Sequence, residues 1–141
     1  MFTGIDINAT RKFISKLDPD PNNPTVFHIG VLDPVLRAEV DDESSTFKVS
    51  SPKPNDKGDI QFKWSRRQLA AIKFGLKGLE NFLDPQTNKP VELIFDTVSY
   101  AGKMRQAVPD RIIAMLPSEL RQELAEAILN ESKLSGEETK N

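Results

Sequence analysis

His28 is the only histidine of the chain, and there is no cysteine. An imidazole can act as a general base or a metal ligand. A zinc site needs three or four nitrogen, sulfur or carboxylate ligands, and without cysteine too few are to hand. No G-x-S-x-G stands in the chain to supply a serine nucleophile. His28 lies inside the apolar run TVFHIGVL, so a hydrogen-bonded structural histidine is the expectation. Asp18, Asp20 and Asn22 alternate as at the opening of a calcium loop. Asn23 stands where that loop needs glycine, and Ile29 where it needs an acid. DPDPNNP therefore reads as a rigid turn. Asp41, Asp42 and Glu43 are adjacent, and neighbours along an exposed loop do not converge on a cation. No Walker loop or dinucleotide fingerprint is present. No catalytic residue, cofactor or metal is expected, and the chain does not read as an enzyme.

A second kind of chemistry is electrostatic. Lys63, Arg66, Arg67, Lys73 and Lys77 are five bases with no acid among residues 63–77, whereas residues 1–45 hold eight acids and four bases. Cations at this density neutralise phosphates, and an adjacent Trp64 can stack a base. The net charge of −2 argues against a general nucleic-acid coat, and Trp64 shares the alternation of Ile60 and Phe62, which assigns it to a core. The five bases thus read first as the polar face of an amphipathic helix; contact with nucleic acid is the minority reading, and contact with a neighbouring acidic protein surface is a further candidate. Glu137 and Glu138 are the matching candidates for an inter-subunit contact, facing Arg66 and Lys73 of an adjacent copy.

The elements that must position these residues follow from periodicity. WSRRQLAAIKFGLKGLENFL, Trp64–Leu83, reads as the central helix, opened by the Ser65–Gln68 capping box. Leu69, Ile72, Leu76 and Leu79 form its apolar stripe. Gly75 and Gly78 interrupt it and mark a close approach, a bend or an end. Before it, Phe2–Ile7 reads as a short strand or an extended arm, Lys12–Leu17 as a short strand, and Thr25–Leu32 as the strongest strand. Asp33 with Pro34 opens a short helix, PVLRAEV, followed by DDESS as an acidic loop. Thr46–Ser50 and Asp59–Trp64 read as a hairpin joined by the polar loop SPKPNDKG. After the central helix, Val91–Phe95 leans to strand, PDRIIAML to a helix stopped by Pro117, and Ser118–Leu134 to a last helix with Leu120, Leu124, Ala127 and Ile128 on one face. The loop Ser51–Gly58 and the tail Ser135–Asn141 are polar and expected to be mobile.

The expected class is α+β: an N-terminal antiparallel sheet packed by a central helix, then a helical C-terminal part. One domain, 1–141, is expected, mainly β over 1–64 and mainly α over 65–141, with a short strand or hairpin near 91–106. The length suffices for a core without disulfides. The opening MFTGIDINATRKF lacks the pattern of a signal peptide. No apolar run approaches the roughly 18 residues of a membrane span, so no membrane partner is expected.

The segment FGLKGLENFLDPQTNKPVELIF, with LPSELRQELAEAILNESKLSGEETKN after a gap, resembles small proteins encoded in the virion-assembly modules of tailed bacteriophages. The opening TVFHIGVLDPVLRAEV fits the same pattern. The chain departs from it at Leu79, where an aromatic is usual, and at Pro85–Asn88, where glycine is missing. The resemblance implies a structural or morphogenesis protein of the virion, assembled in the bacterial cytoplasm. It would sit on the capsid, at the head–tail junction or in the tail, and act by contact with other virion proteins in many symmetric copies. The runner-up is a tail assembly chaperone that binds the tape-measure protein. A nucleic-acid-binding module is the alternative from another class.

Overall fold

The computed structural model describes residues 1–45 and 57–138, with side chains over 1–43 and 66–131. The chain is α+β. Strand β1 (Thr10–Phe13), β2 (Val26–Gly30) and β3 (Leu76–Glu80) form one antiparallel sheet with β2 in the centre. Helix α1 (Pro34–Ser45) and helix α2 (Lys57–Gly75) lie between β2 and β3 in sequence, and a hairpin of β4 (Asp96–Tyr100) and β5 (Lys103–Ala107) leads to α3 (Asp110–Met115) and α4 (Ser118–Glu138). One cluster of buried side chains joins Phe27 and Ile29 of the sheet to Val40 of α1, Ile72 of α2, and Leu124 and Ile128 of α4. Helix α2 packs against both α1 and α4. No described helix is long and apolar enough to cross a membrane.

The start of α1 forms as its residues dictate. Asp33 Oδ1 accepts the Leu36 N–H at 2.9 Å, and Pro34 supplies the first helical φ. The helix does not stop at Val40, however. It runs on through DDESS, so that stretch is helix rather than acidic loop. Asp33 Oδ2 also accepts Arg105 Nη1 at 2.7 Å, which ties the hairpin to the head of α1. Burial pulls the Asp33 carboxyl upward, but the Leu36 N–H and the Arg105 guanidinium outweigh it and hold it below the usual carboxylate range.

The central helix departs most from expectation. It begins at Lys57, so Asp59–Trp64 is helical and not a strand, and Ser65 lies inside the helix instead of capping it. Alternation over six residues is a weak signal beside the helix-favouring Gln68, Ala70 and Ala71 that follow. Once nucleated, propagation through neighbouring residues is favourable. The helix ends at Gly75, and LKGLE pairs with β2 as strand β3 instead of continuing to Leu83. A Cβ on Gly75 would lie 2.4 Å from Ile128 Cγ2, and one on Gly78 would lie 2.9 Å from His28 Cδ2. The two glycines mark an end and two close approaches. Ile72 and Leu76 are buried, while Leu69 is 39% exposed and outside the core. Its stripe partner Leu76 pairs with Ile29 in the sheet, whereas Leu69 lines a groove with Tyr100, Ile113 and Arg121. The Trp64 side chain, the strand expected at Thr46–Ser50 and residues 51–56 of the polar loop lie outside the described residues, but Lys57 and Gly58 open α2.

Elsewhere the differences are local. Residues 1–9 form no strand, which leaves the arm reading. The strand expected at Lys12–Leu17 starts earlier, at Thr10, and ends at Phe13, because Ser15 Oγ accepts the Leu17 N–H and turns the chain. Val91–Phe95 is no strand. Pro90 has no N–H for a ladder, and only the single bridge Leu83–Pro90 forms. The hairpin follows it, turning on Ala101 and Gly102 at φ 51° and 83°, a two-residue turn of the primed kind. Helix α4 carries its expected apolar face, with Leu124 and Ile128 fully buried, and reaches Glu138.

Candidate functional site

Two surfaces hold the residues able to meet a partner. The first is the basic stretch. Helix α1 runs beside α2, and the extra turns of α1 carry its acids to the arginines. Arg67 Nη2 lies 2.9 Å from Asp41 Oδ1, which also takes Arg37 Nε at 3.2 Å. Arg66 Nη2 lies 3.2 Å from Glu43 Oε2, and the Tyr100 hydroxyl donates to Glu43 Oε1 at 3.1 Å. The Tyr100 ring stacks on Phe74, centroids 4.5 Å apart. Burial first, then the Glu43 carboxylate, pushes the Tyr100 phenol up to about 12.

The remaining bases go elsewhere. Lys73 Nζ approaches Asp110 Oδ1 at 3.7 Å. Lys77 is on β3, not on the helix, and its stem crosses Gly30. Burial, then the charge of Arg105, holds its ammonium below the ordinary lysine range. Lys63, Glu137 and Glu138 have side chains outside the described residues. Among the described residues, Arg66, Arg67, Lys73 and Lys77 are therefore not gathered into one open basic face. A groove of about 580 Å³ beside Tyr100 has Arg66, Lys73 and Arg121 on its rim, but also Glu43 and Asp110. Phosphate binding gains from cations that give up loosely held counterions, and Arg66 and Arg67 already hold carboxylates. The spacing Arg37–Asp41, four residues apart, was the available signal that DDESS is helical and charge-paired. Tyr100 carried no such signal.

His28 is in the sheet's centre, its Nε2 2.7 Å from Glu80 Oε2 on β3. It is hydrogen-bonded, as the apolar strand suggested. Among the described residues no three His, Asp or Glu side chains gather in a metal-holding group.

The second surface is apolar. Residues 1–9 are exposed throughout, with Phe2 at 101%, Ile5 at 44% and Ile7 at 48% of full exposure. The arm enters β1 through a turn in which Ala9 N–H donates to Asp6 O at 3.2 Å. At the other end of the sheet, Leu17, Phe27, Phe82, Leu83 and Leu120 line a groove of about 560 Å³. Its wall is the DPDPNNP turn, which is held rigid as expected: Asp18 accepts the N–H of Asp20 at 2.9 Å and of Thr25 at 2.8 Å. Thr25 Oγ1 donates to Asn81 O at 2.8 Å, which fixes the wall to the end of β3. Leu17 and Leu83 remain more than half exposed at the groove mouth. The arm was legible in the sequence; the groove was not, because three separated segments build it.

No family model, curated protein or solved structure matches this chain.

Proposed function

We propose that this protein is a structural or morphogenesis component of a tailed-phage virion, acting through protein–protein contacts in a symmetric multi-copy assembly. The observation that carries the reading is the arm, residues 1–9, where Phe2 is fully exposed and Ile5 and Ile7 keep nearly half of their surface open. Apolar side chains presented together on an extended segment cost hydration free energy until a partner covers them. The resemblance of FGLKGLENFL and of the Leu116–Asn141 segment to virion-assembly proteins supplies the setting. The paired state of Arg66 and Arg67 favours this over a nucleic-acid-binding module.

Mass spectrometry of purified virions from a phage carrying the gene tests the reading. The protein is expected at a fixed stoichiometry to the major virion proteins. Abundance in the infected cell with absence from the particle would contradict it, and would point to the tail assembly chaperone instead.

A further inference from the structure

We infer that the cavity between β3, β5 and the turn of the arm is a phosphate site, formed by Lys77, Lys103 and Arg105, for a phosphate ion or the phosphate end of a monoester. The cavity holds about 250 Å³. Sites for drug-sized molecules run to roughly 300–1,000 Å³, so this one suits a single charged group. Lys77 comes from β3, and Lys103 and Arg105 from β5, with Asp33 as the one acid in the lining. Val31, Leu36 and Phe74 give the cavity an apolar wall, and Asn8 adds an amide.

Both oxygens of the one acid are already engaged. Asp33 Oδ2 accepts Arg105 Nη1 at 2.7 Å, and Oδ1 accepts the Leu36 N–H at 2.9 Å. Arg105 is fixed further by donating to Tyr100 O at 2.8 Å and Ala101 O at 3.3 Å. Among the described residues neither Lys77 nor Lys103 belongs to an ion pair. Many surface lysines lack a partner because water serves instead. Lys77 differs, because its stem lies across Gly30, where a Cβ would come within 3.0 Å of Lys77 Cγ and Cε. Burial there, then the charge of Arg105, makes its ammonium harder to keep protonated. An anion in the cavity relieves both effects. Charge selects the kind of anion. Three bases and one acid leave the lining with two positive charges in excess. A phosphate monoester carries about −1.5 to −2 at pH 7, whereas a carboxylate carries a single charge. Lysine ammoniums bind phosphate as point charges, and the Arg105 fork that a carboxylate would favour is already turned to Asp33.

Thermal unfolding of the full chain tests the site, with sodium phosphate raised to about 10 mM near pH 8 against sodium chloride of equal ionic strength. A ligand bound only by the folded chain raises the melting temperature, by about 3–6 °C once it stands tenfold above its dissociation constant. Lys77→Met and Lys103→Met keep an aliphatic stem and remove a like charge. Both are expected to melt no lower than the natural chain in chloride and to lose most of the rise in phosphate. Lys89→Met removes the same charge outside the cavity and is expected to keep the rise, which separates a site from the general stabilising effect of phosphate salts. Ribose 5-phosphate distinguishes the source. A rise equal to that with phosphate assigns the site to the end of a monoester, and a rise with phosphate alone assigns it to the free ion. No rise with either would overturn the inference, as would a rise undiminished in both cavity variants. An equal rise with sodium acetate would overturn the choice of phosphate.

Discussion

Glu43 receives two donors from different elements, Arg66 of α2 and the hydroxyl of Tyr100 in β4. Each oxygen of the carboxylate is used, and the phenol must keep its proton to donate. Ionising Tyr100 would set a phenolate against Glu43 in a half-buried place, which is why its pKa rises. A pKa raised in the folded state means stability that is full below pH 10 and is lost as pH climbs from there towards about 12. Asp33 works in the other sense: its carboxyl is depressed, so its contribution is full above its ordinary value of 3.8 and is lost as pH falls below it. Tyr100 is the only tyrosine, so a titration of phenolate absorbance reads it alone. The folded protein is expected to give a midpoint near 12 and the unfolded protein one near 10. A folded midpoint near 10 would mean that the Glu43 contact does not persist in solution.

At the scale of elements the junction between α2 and β3 decides the fold. Gly75 is buried at the end of the helix, outside the left-handed region, so alanine is allowed by the backbone but not by Ile128. Gly75→Ala is expected to destabilise the protein by about 1–3 kcal/mol through overpacking. Ile128→Ala alone should cost about 2–5 kcal/mol as a buried truncation. The double variant should recover about 1 kcal/mol relative to the sum, since the truncation removes the methyl that alanine meets. Strictly additive urea-denaturation free energies would place the helix end away from Ile128. The same junction shows how far local pattern carries. Gly75 and Gly78 were readable as a break, and Asp33–Pro34 and the Leu124–Ile128 face as helix signals, because each acts through its own neighbours. Leu76 and Leu79 were misread because a register shift opposite His28–Ile29 brings residues three apart onto one face of β3, a spacing that otherwise marks a helix. Only pairing with Val26–Ile29, some fifty residues earlier, distinguishes strand from helix. The groove was unreadable for the same reason, since its walls come from the turn after β1, the end of β3 and the start of α4.

At the scale of the whole molecule, two kinds of surface compete for a partner, and salt separates them. The acids of α1 neutralise the arginines of α2 within the chain, whereas Phe2 of the arm is fully exposed and Leu17 and Leu83 at the groove mouth are half exposed. An apolar contact is little affected by simple salt, while a contact between exposed charges weakens as the screening length falls from about 10 Å at 0.1 M to about 3 Å at 1 M. Light scattering coupled to size-exclusion chromatography, at both salt concentrations and over a range of protein concentration, puts the question directly. The expected result is a mass that is a multiple of the chain's, grows with concentration, persists at 1 M salt and falls to the monomer when residues 1–9 are removed. A chain that stays monomeric at every concentration, or an assembly that dissolves at 1 M salt and ignores removal of the arm, would contradict assembly through the apolar surface.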